Sequence, residues 1–407
     1  MGRAVWHIAW PTMVQNVIGG LQGIIDQAMV GNFVGYTGNA AIGVSLQLFI
    51  LVIVFVASVF TGMGVLVARF AGAGDRDKVN RSVYQAFLVA VVLAVGVMAP
   101  VGYWAAPTLL TLINAPAEVQ VEALPYIRIM FVFSIGMLMF FMFSGALRAA
   151  GDAKTPMRLG ILMTAMNIVF NIVLIRGLGP IPAFGTTGAA MGTAIASGIT
   201  GIIFMWLLFS NRLVIQFTRT MSFRPNWDII RQLFKFGLPA GIQGIAMNFG
   251  GVLMLRFIGS LEHSGEAQAA YSVGYTELFS LITWTSVGLM GATAAVAGQN
   301  LGAGKPDRSA RSAQAAALMG LGVAASVGVL FFAIPRPLLS IFGMHDGVVV
   351  DLGVELLGYL AISGLFVTVA LAYTGGLQGT GDTRSPLYIS IISQVIMPLG
   401  ICAVIQA

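Results

Sequence analysis

The sequence predicts an all-α polytopic membrane protein, built as two six-helix bundles related by a pseudo-two-fold axis along the membrane normal. The chain is 57% hydrophobic and only 9% charged, whereas a typical soluble domain carries about 25% charged residues. Apolar segments long enough to cross a bilayer recur along the whole chain. An internal repeat places the same motifs in the same order in both halves.

The apolar segments number eleven, and charged or Gly- and Pro-rich turns separate them. Each has about 20 or more residues, which is the length that crosses a bilayer. Several are longer, which predicts tilted or kinked helices. The 51 glycines are typical of closely packed membrane helices. The predicted spans are 6–34, 40–68, 82–106, 120–147, 157–176, 187–210, 233–259, 266–298, 310–333, 349–378 and 386–407.

The basic residues predict the orientation of the chain in the membrane. With the N-terminus in the cytoplasm, all but four of the 21 Lys and Arg residues fall on the cytoplasmic side, as the positive-inside rule requires. The exceptions are Arg128, Arg176, Arg256 and Arg336. The opposite side collects acidic residues instead: Glu118, Glu122, Glu262, Glu266, Asp346, Asp351 and Glu355.

The internal repeat has an offset of about 230 residues. Leu147–Met157 (LRAAGDAKTPM) matches Leu377–Leu387 (LQGTGDTRSPL), and the AGAG ending at Gly74 matches the LGAG ending at Gly304. Six spans return the chain to the cytoplasm, so both units have the same orientation and the substrate route is expected between them. Because the first unit ends near position 210, the repeat predicts a twelfth helix that is missing here. The predicted N-lobe, cytoplasmic linker and C-lobe are 1–212, 213–232 and 233–407.

Several classes of function are excluded. The net charge is +6, but no basic tract exceeds two residues, so we expect no nucleic-acid partner. The single Cys402 and the widely spaced His7, His263 and His345 exclude a disulfide framework and argue against a zinc or haem site. Gly302–Pro306 (GAGKP) ends in Pro where a phosphate-binding loop needs Ser or Thr. We therefore expect a non-enzyme that uses an ion gradient, with no cofactor besides H⁺ or Na⁺.

The motifs resemble those of the MATE (multidrug and toxic compound extrusion) family over the whole chain. They are Pro11 with IIDQAMVG at Ile24–Gly31, AGAGDRDKVNRS, GALRAAGDAKTP, NIVFNIVLI, GQNLGAG and GGLQGTGDTRSP. The resemblance implies a cation-driven antiporter in the bacterial inner membrane. It also implies export of organic cations and other amphipathic compounds by alternating access. We expect a monomer surrounded by membrane lipid.

Asp26 is the first candidate for ion coupling. It lies inside the first span, where a charged group is costly and indicates a function, and its counterpart in the repeat is Met254. Because burial disfavours the charged form of a carboxyl group, Asp26 can take up and release a proton. As a carboxylate it can instead bind Na⁺ together with neutral oxygens. The MATE resemblance implies the coupling role, and the alternative is an acid that reaches water at the headgroups.

Two amides and a hydroxyl are the next candidates for ion coupling. Asn167 and Asn171 lie four residues apart, hence on one helical face, and can bond Asp26, bind a cation or simply join two helices. The resemblance implies that Thr193 matches a hydroxyl of the family site. It also implies that archaeal members carry an acid at the position of Asn171. A two-carboxylate Na⁺ site is therefore not expected, and H⁺ is slightly favoured.

The candidates for substrate binding are Glu277, Gln15, Asn16, Gln47 and Met137. Glu277 is the other acid deep in a span, and it is expected to hold a cationic substrate or to pair with Arg256. In some branches of the family, acids in the seventh and tenth spans bind Na⁺, but here those spans have none. The three amides are weaker polar candidates. Met137 belongs to a group of methionines whose flexible side chains suit a promiscuous apolar cavity.

Two other functions stay open at this point. A flippase for lipid-linked saccharides, from the same superfamily, requires a cationic cavity for phosphate. A non-transporting membrane scaffold or receptor requires no intramembrane acid. The repeated GDxxxP motifs are expected to be structural, with Asp152 and Asp382 capping the helices that follow.

Overall fold

The computed structural model describes residues 1–112, 116–210, 212–218, 224–261, 264–342, 344 and 347–406. Almost all of these residues are helical, which confirms the predicted all-α class. Four residues named in the sequence analysis lie outside the described part of the chain: Glu262, His263, His345 and Asp346.

The first half of the chain contains helices α1 to α8 in the described residues. Two π-helical turns, Ala94–Met98 and Val101–Ala105, lie between α3 and α4. The helices are α1 Gly2–Phe33, α2 Tyr36–Gly72, α3 Arg76–Leu93, α4 Ala106–Leu112, α5 Ala117–Val132, α6 Ile135–Ala149, α7 Lys154–Arg176 and α8 Gly185–Phe209.

The second half contains helices α9 to α16 in the described residues. Its π-helical turns are Ser272–Leu278, between α10 and α11, and Ile392–Ile396, between α15 and α16. The helices are α9 Trp227–Ile258, α10 Ser264–Tyr271, α11 Ser280–Gly302, α12 Pro306–Ala333, α13 Pro335–Ser340, α14 Gly347–Thr380, α15 Arg384–Ile391 and α16 Met397–Gln406.

The helices have the length and composition of a multi-pass membrane protein. Within the described residues, nine are long and apolar enough to cross a membrane, and α5 with α6, bent by 49°, can form a tenth. Each falls on a predicted span. The predicted span 120–147 is bent in the structure, as expected for one of the longer segments. The helix α1 covers the predicted span 6–34 but is not among the nine, since polar side chains such as Gln15, Asn16 and Asp26 lower its mean hydropathy.

Packing divides the chain into two compact units. One consists of Met1–Val17 and Ile242–Ala407, and the other of Ile18–Gly241. The helices α1 and α9 therefore each contribute to both units. These units share most of their residues with the predicted lobes, whose limits stay a prediction.

The two helices that change unit do so beside glycines that allow close packing. In the unit Ile18–Gly241, a Cβ on Gly237 or on Gly241 would lie 2.6 Å from an oxygen of Ser58, so the first half of α9 lies directly on α2. In the other unit, a Cβ on Gly288 would lie 2.9 Å from the Cα of Met13. The start of α1 therefore packs against α11.

The described part of the predicted linker is docked rather than free. Ile215 and Phe217 are buried in the unit Ile18–Gly241. The side chain of Gln85 on α3 donates to the carbonyl oxygen of Arg224 and accepts from the backbone N–H of Asn226, each at 3.0 Å. The backbone N–H of Gln216 also donates to the Oδ1 of Asn80 on α3 at 3.0 Å, so the linker is attached to α3 both before and after residues 219–223, which lie outside the description.

The capping role predicted for the repeated GDxxxP motifs is confirmed. The carboxylate of Asp152 accepts the backbone N–H of Thr155 at 3.0 Å, and Asp382 accepts that of Ser385 at the same distance. The hydroxyl of Ser385 also donates to Asp382 at 2.6 Å. These bonds from Ser385 hold the pKa of the Asp382 carboxyl below its usual value, so this cap is charged at neutral pH.

Substituting Gly379 by Ala is expected to destabilise the second half. Gly375 and Gly379 lie one turn apart on α14, and a Cβ on either would overlap the carbonyl oxygen of Met290 or Ala294 on α11. This is the close backbone approach of small-xxx-small packing. Overpacking costs about 1–3 kcal/mol, which should lower the melting temperature in detergent. Gly322→Ala on α12, where the added Cβ meets nothing within 4 Å, should leave it unchanged; equal melting temperatures for both variants would contradict the packing.

Candidate functional site

A chain of hydrogen bonds joins α1, α7 and α8 in the unit Ile18–Gly241. The Nδ2 of Asn171 donates to the Oδ1 of Asp26 at 2.7 Å and to the Oδ1 of Asn167 at 3.3 Å. The Nδ2 of Asn167 in turn donates to the Oγ1 of Thr193 at 2.9 Å. The structure therefore brings together all four residues that the sequence analysis assigned to ion coupling.

The amides of this chain are fully buried, and the carboxylate is partly so. Asn167 and Asn171 are both 0% exposed, while Asp26 has intermediate exposure. The Oδ1 of Asn171 is buried and accepts no hydrogen bond. A buried acceptor without a partner is costly, so this oxygen has an unused capacity to accept a hydrogen bond.

Gly192, which was not predicted as a site residue, makes room for the Asn171 amide. A Cβ at Gly192 would overlap the Oδ1 of Asn171. One turn earlier on α8, a Cβ at Gly188 would lie 2.5 Å from the carbonyl oxygen of Leu174 on α7. Together these glycines bring α8 close to α7, and Thr193 comes within reach of Asn167. The string GAAMGT at Gly188–Thr193 contains both glycines. Their spacing of four residues, which places them on one helix face, could have predicted this close packing.

A second bond between α1 and α7 was also missed. The hydroxyl of Thr164 donates to the Oε1 of Gln22 at 2.9 Å. Gln22 precedes Asp26 by four residues on α1, and Thr164 precedes Asn171 by seven on α7, so these residues lie on the same helix faces. The α1–α7 contact is therefore a polar ladder two turns long, which fixes the position of the carboxylate.

The second half of the chain has no equivalent of this site in the described residues. At the offsets of the repeat, Asp26, Asn167 and Asn171 correspond to Met254, Met397 and Ile401. Met254 contacts a thiol instead, with its Sδ 3.9 Å from the Sγ of Cys402. Within the described residues, the hydrogen bonds among Asp26, Asn167 and Asn171 are therefore a feature of the first half alone.

Four of the proposed substrate-binding residues lie away from these hydrogen bonds. Gln15 and Asn16 belong to the start of α1, which packs with the unit Ile242–Ala407. The Nδ2 of Asn16 donates to the carbonyl oxygen of Trp284 at 3.3 Å. Gln47 is exposed on α2. Met137 on α6 packs against the hydrophobic core of the unit Ile18–Gly241.

Glu277 lies in the π-helical turn Ser272–Leu278 with intermediate exposure. The described ion pairs, Lys78–Asp75 and Arg336–Asp351, do not include the predicted alternative partner Arg256. The Glu277 carboxylate therefore has no cationic partner among the described residues. Insertions of a π-helical turn are frequent at functional sites.

The donor set at Asp26 suits a monovalent cation. Among the described residues, no group of three or more His, Cys, Asp or Glu side chains could hold a metal ion. The chain that begins at Asp26 contains one carboxylate and the neutral side-chain oxygens of Asn167, Asn171 and Thr193. This arrangement can bind H⁺ on the carboxylate or Na⁺ among the oxygens.

Comparisons with known proteins agree with this architecture. A family model described as MatE matches residues 11–173 and 239–402. A probable multidrug resistance protein NorM of Thermotoga maritima is 26% identical over 391 residues, which cover 95% of this chain and 82% of the relative. A probable NorM of Deinococcus radiodurans is 28% identical over 421 residues, with 100% and 88% covered. An outward-facing structure of a multidrug resistance MATE family transporter has a TM-score of 0.89 at 20% identity, with 98% and 87% covered.

Proposed function

The chain belongs to the MatE family, and on this premise we propose that it is a secondary antiporter that exports organic cations and other amphipathic compounds. The imported ion would be H⁺ or Na⁺, and the two lobes would expose the ion site to one side of the membrane at a time. The observation that carries this proposal is the hydrogen-bonded chain from Asp26 through Asn171 and Asn167 to Thr193.

The chain of hydrogen bonds can report the protonation state of Asp26. As a carboxylate, Asp26 accepts the N–H of Asn171. Once protonated, it carries a donor and no longer needs that N–H. The amide of Asn171 can then turn and offer its unpartnered Oδ1 to the new O–H. This rotation of the amide removes the N–H that donates to the Oδ1 of Asn167. Protonation of Asp26 therefore changes the hydrogen bonding between α1, α7 and α8.

Na⁺ binding would use the same atoms in another way. The carboxylate of Asp26 would supply the charge, and the oxygens of Asn167, Asn171 and Thr193 would replace part of the hydration shell. Because there is only one carboxylate in this cluster, we favour H⁺ over Na⁺. Either ion neutralises Asp26, which lowers the cost of that carboxylate inside a membrane.

We also propose the location, orientation and oligomeric state of the protein and the residues that contact its substrate. It would lie in the bacterial inner membrane with its N-terminus in the cytoplasm, because the basic loops alternate with acidic ones. It would act as a monomer and need no cofactor besides the coupling ion. Gln15, Asn16, Gln47, Met137 and Glu277 would contact the substrate.

The test is ethidium efflux from proteoliposomes that hold either a proton gradient or a Na⁺ gradient. Efflux driven by the proton gradient alone would support H⁺ coupling, and efflux driven by the Na⁺ gradient alone would support Na⁺ coupling. No efflux with either gradient would overturn the proposal and favour the saccharide-flippase alternative.

Glu277→Gln should weaken export of cationic compounds while leaving export of neutral ones unchanged. The substitution keeps the shape of the side chain but removes a charge that has no partner among the described residues. A lost charge-assisted contact is worth about 1.5–3 kcal/mol, so the apparent KM for ethidium should rise about 10-fold or more. Glu355→Gln on α14, another acid of the second half, is the control. An unchanged KM for ethidium in Glu277→Gln would exclude Glu277 from substrate binding.

A further inference from the structure

The helical segment that begins at Arg76 is long enough to place aromatic side chains at the opposite membrane interface. It continues to Thr111 over 36 residues, about 54 Å at the helical rise, and exceeds a hydrocarbon core of about 30 Å. Tyr103 follows the basic Arg81 by roughly 33 Å along this axis. Tyr103 and its neighbour Trp104 are 58% and 72% exposed. Exposed Tyr and Trp at this separation mark the membrane interface opposite the basic loops.

Arg128 lies beside the Tyr103 ring and has no anionic partner among the described residues. Its guanidinium carbon is 5.4 Å from the centroid of the Tyr103 ring. Its Nε is buried and makes no hydrogen bond, and neither of the described ion pairs includes it. An arginine at an apolar boundary is costly unless an anion compensates its charge. No described residue supplies that anion, so the guanidinium can bind one from outside the protein.

The local backbone explains why Arg128 and Tyr103 meet. The π-helical turn Val101–Ala105 contains Gly102, and a Cβ at Gly102 would overlap the side chain of Phe131. Phe131 is fully buried on α5 and follows Arg128 by about one turn. The glycine therefore lets α5 approach the π-helical turn closely enough to place the guanidinium over the ring.

We propose that Arg128, Tyr103 and Trp104 bind the phosphodiester of a phospholipid headgroup. A guanidinium offers planar, paired donors that match phosphate oxygens. The rings of Tyr103 and Trp104 meet edge to face at 5.8 Å and present an amphipathic surface to the glycerol region. Towards the membrane centre the same helix exposes Val92 and Val95, by 66% and 64%, which suits acyl chains. Charge and apolar surface thus follow the order of a lipid molecule.

Native mass spectrometry of the purified protein with added phosphatidylglycerol tests this site. Wild type should retain one more lipid than Arg128→Gln, with an apparent affinity about tenfold higher, since a charge-assisted hydrogen bond is lost. Arg176→Gln is the matched control, because Arg176 also lies over an aromatic ring, 5.8 Å from the centroid of Phe33. Equal lipid retention by wild type and Arg128→Gln would overturn the proposal.

Two further measurements keep the test decisive. Trp104→Ala removes an exposed ring at little cost to folding, and it should weaken retention even if Arg128→Gln folds poorly; unchanged retention would count against the site. Excess inorganic phosphate should not displace the lipid. Displacement by phosphate alone would show a soluble-anion site and refute the lipid. Neither measurement depends on transport, so the outcome is independent of the proposed antiport.

Discussion

Asp26→Asn should reduce gradient-driven export to near background while the protein still accumulates in folded form. The amide keeps the size of the carboxylate and an oxygen that can accept from Asn171, so the bond between α1 and α7 can persist. The substitution removes the negative charge that would bind the ion. Loss of one charge-assisted interaction costs about 1.5–3 kcal/mol, which weakens ion binding about 10- to 100-fold. The measurement is ethidium efflux in proteoliposomes together with the melting temperature.

The control for this substitution is Asp77→Asn. Asp77 is an exposed acid in the first turn of α3, and its loss should leave efflux unchanged. Two results would contradict the coupling role of Asp26. Normal gradient-driven efflux in Asp26→Asn would favour a scaffold or an ion site elsewhere. Loss of folded protein would show that the carboxylate is structural.

Gly192→Ala should impair coupling although it replaces none of the polar side chains of the site. The new methyl group would overlap the Oδ1 of Asn171, so either the amide must leave its place or α8 must move away from α7. Overpacking of this kind costs about 1–3 kcal/mol, and 1.4 kcal/mol corresponds to tenfold in an equilibrium. We therefore expect export to fall about tenfold and its dependence on the ion gradient to shift.

Gly198→Ala is the matched control, because Gly198 lies on the same helix and its added Cβ would meet nothing within 4 Å. It should export like wild type. If Gly192→Ala also exported like wild type at the same ion dependence, the position of the Asn171 amide would be irrelevant to coupling. The double variant gives a further test. If Gly192 and Asn171 act through one contact, adding Asn171→Ala to Gly192→Ala should cause no further loss of export.

Periodicity and charge in the sequence predicted the helices well, and the length of the segments predicted kinks, but nothing in the sequence predicted where the bends lie. Long apolar segments can hardly be anything other than membrane helices, and each predicted span corresponds to described helical residues. The bend of 49° between α5 and α6 and the π-helical turns near Tyr103 and Glu277 depend on contacts between distant segments. A linear pattern does not contain those contacts.

The candidate site shows the same limit at the level of single residues. Asp26 was predictable, since an acid inside an apolar span is costly, and the spacing of Asn167 and Asn171 placed them on one face. The role of Gly192 was not, because a glycine matters there only through the atom that occupies its missing side chain. Asn16 lies on the same helix as Asp26 but does not join its hydrogen bonds. It donates to the carbonyl oxygen of Trp284, because α1 contributes to two compact units.

The divided packing of α1 sets a requirement for biogenesis. Asn16 emerges from the ribosome 268 residues before Trp284, the residue to which it bonds. At about 5–20 residues per second, the start of α1 waits between about ten seconds and one minute for its neighbours. During that interval the polar side chains in the middle of α1 must be sheltered by the insertion machinery or by temporary helix pairs. Assembly of the unit of Met1–Val17 and Ile242–Ala407 therefore comes last, and substitutions near Gln15 and Asn16 should affect yield during synthesis more than the stability of the finished protein.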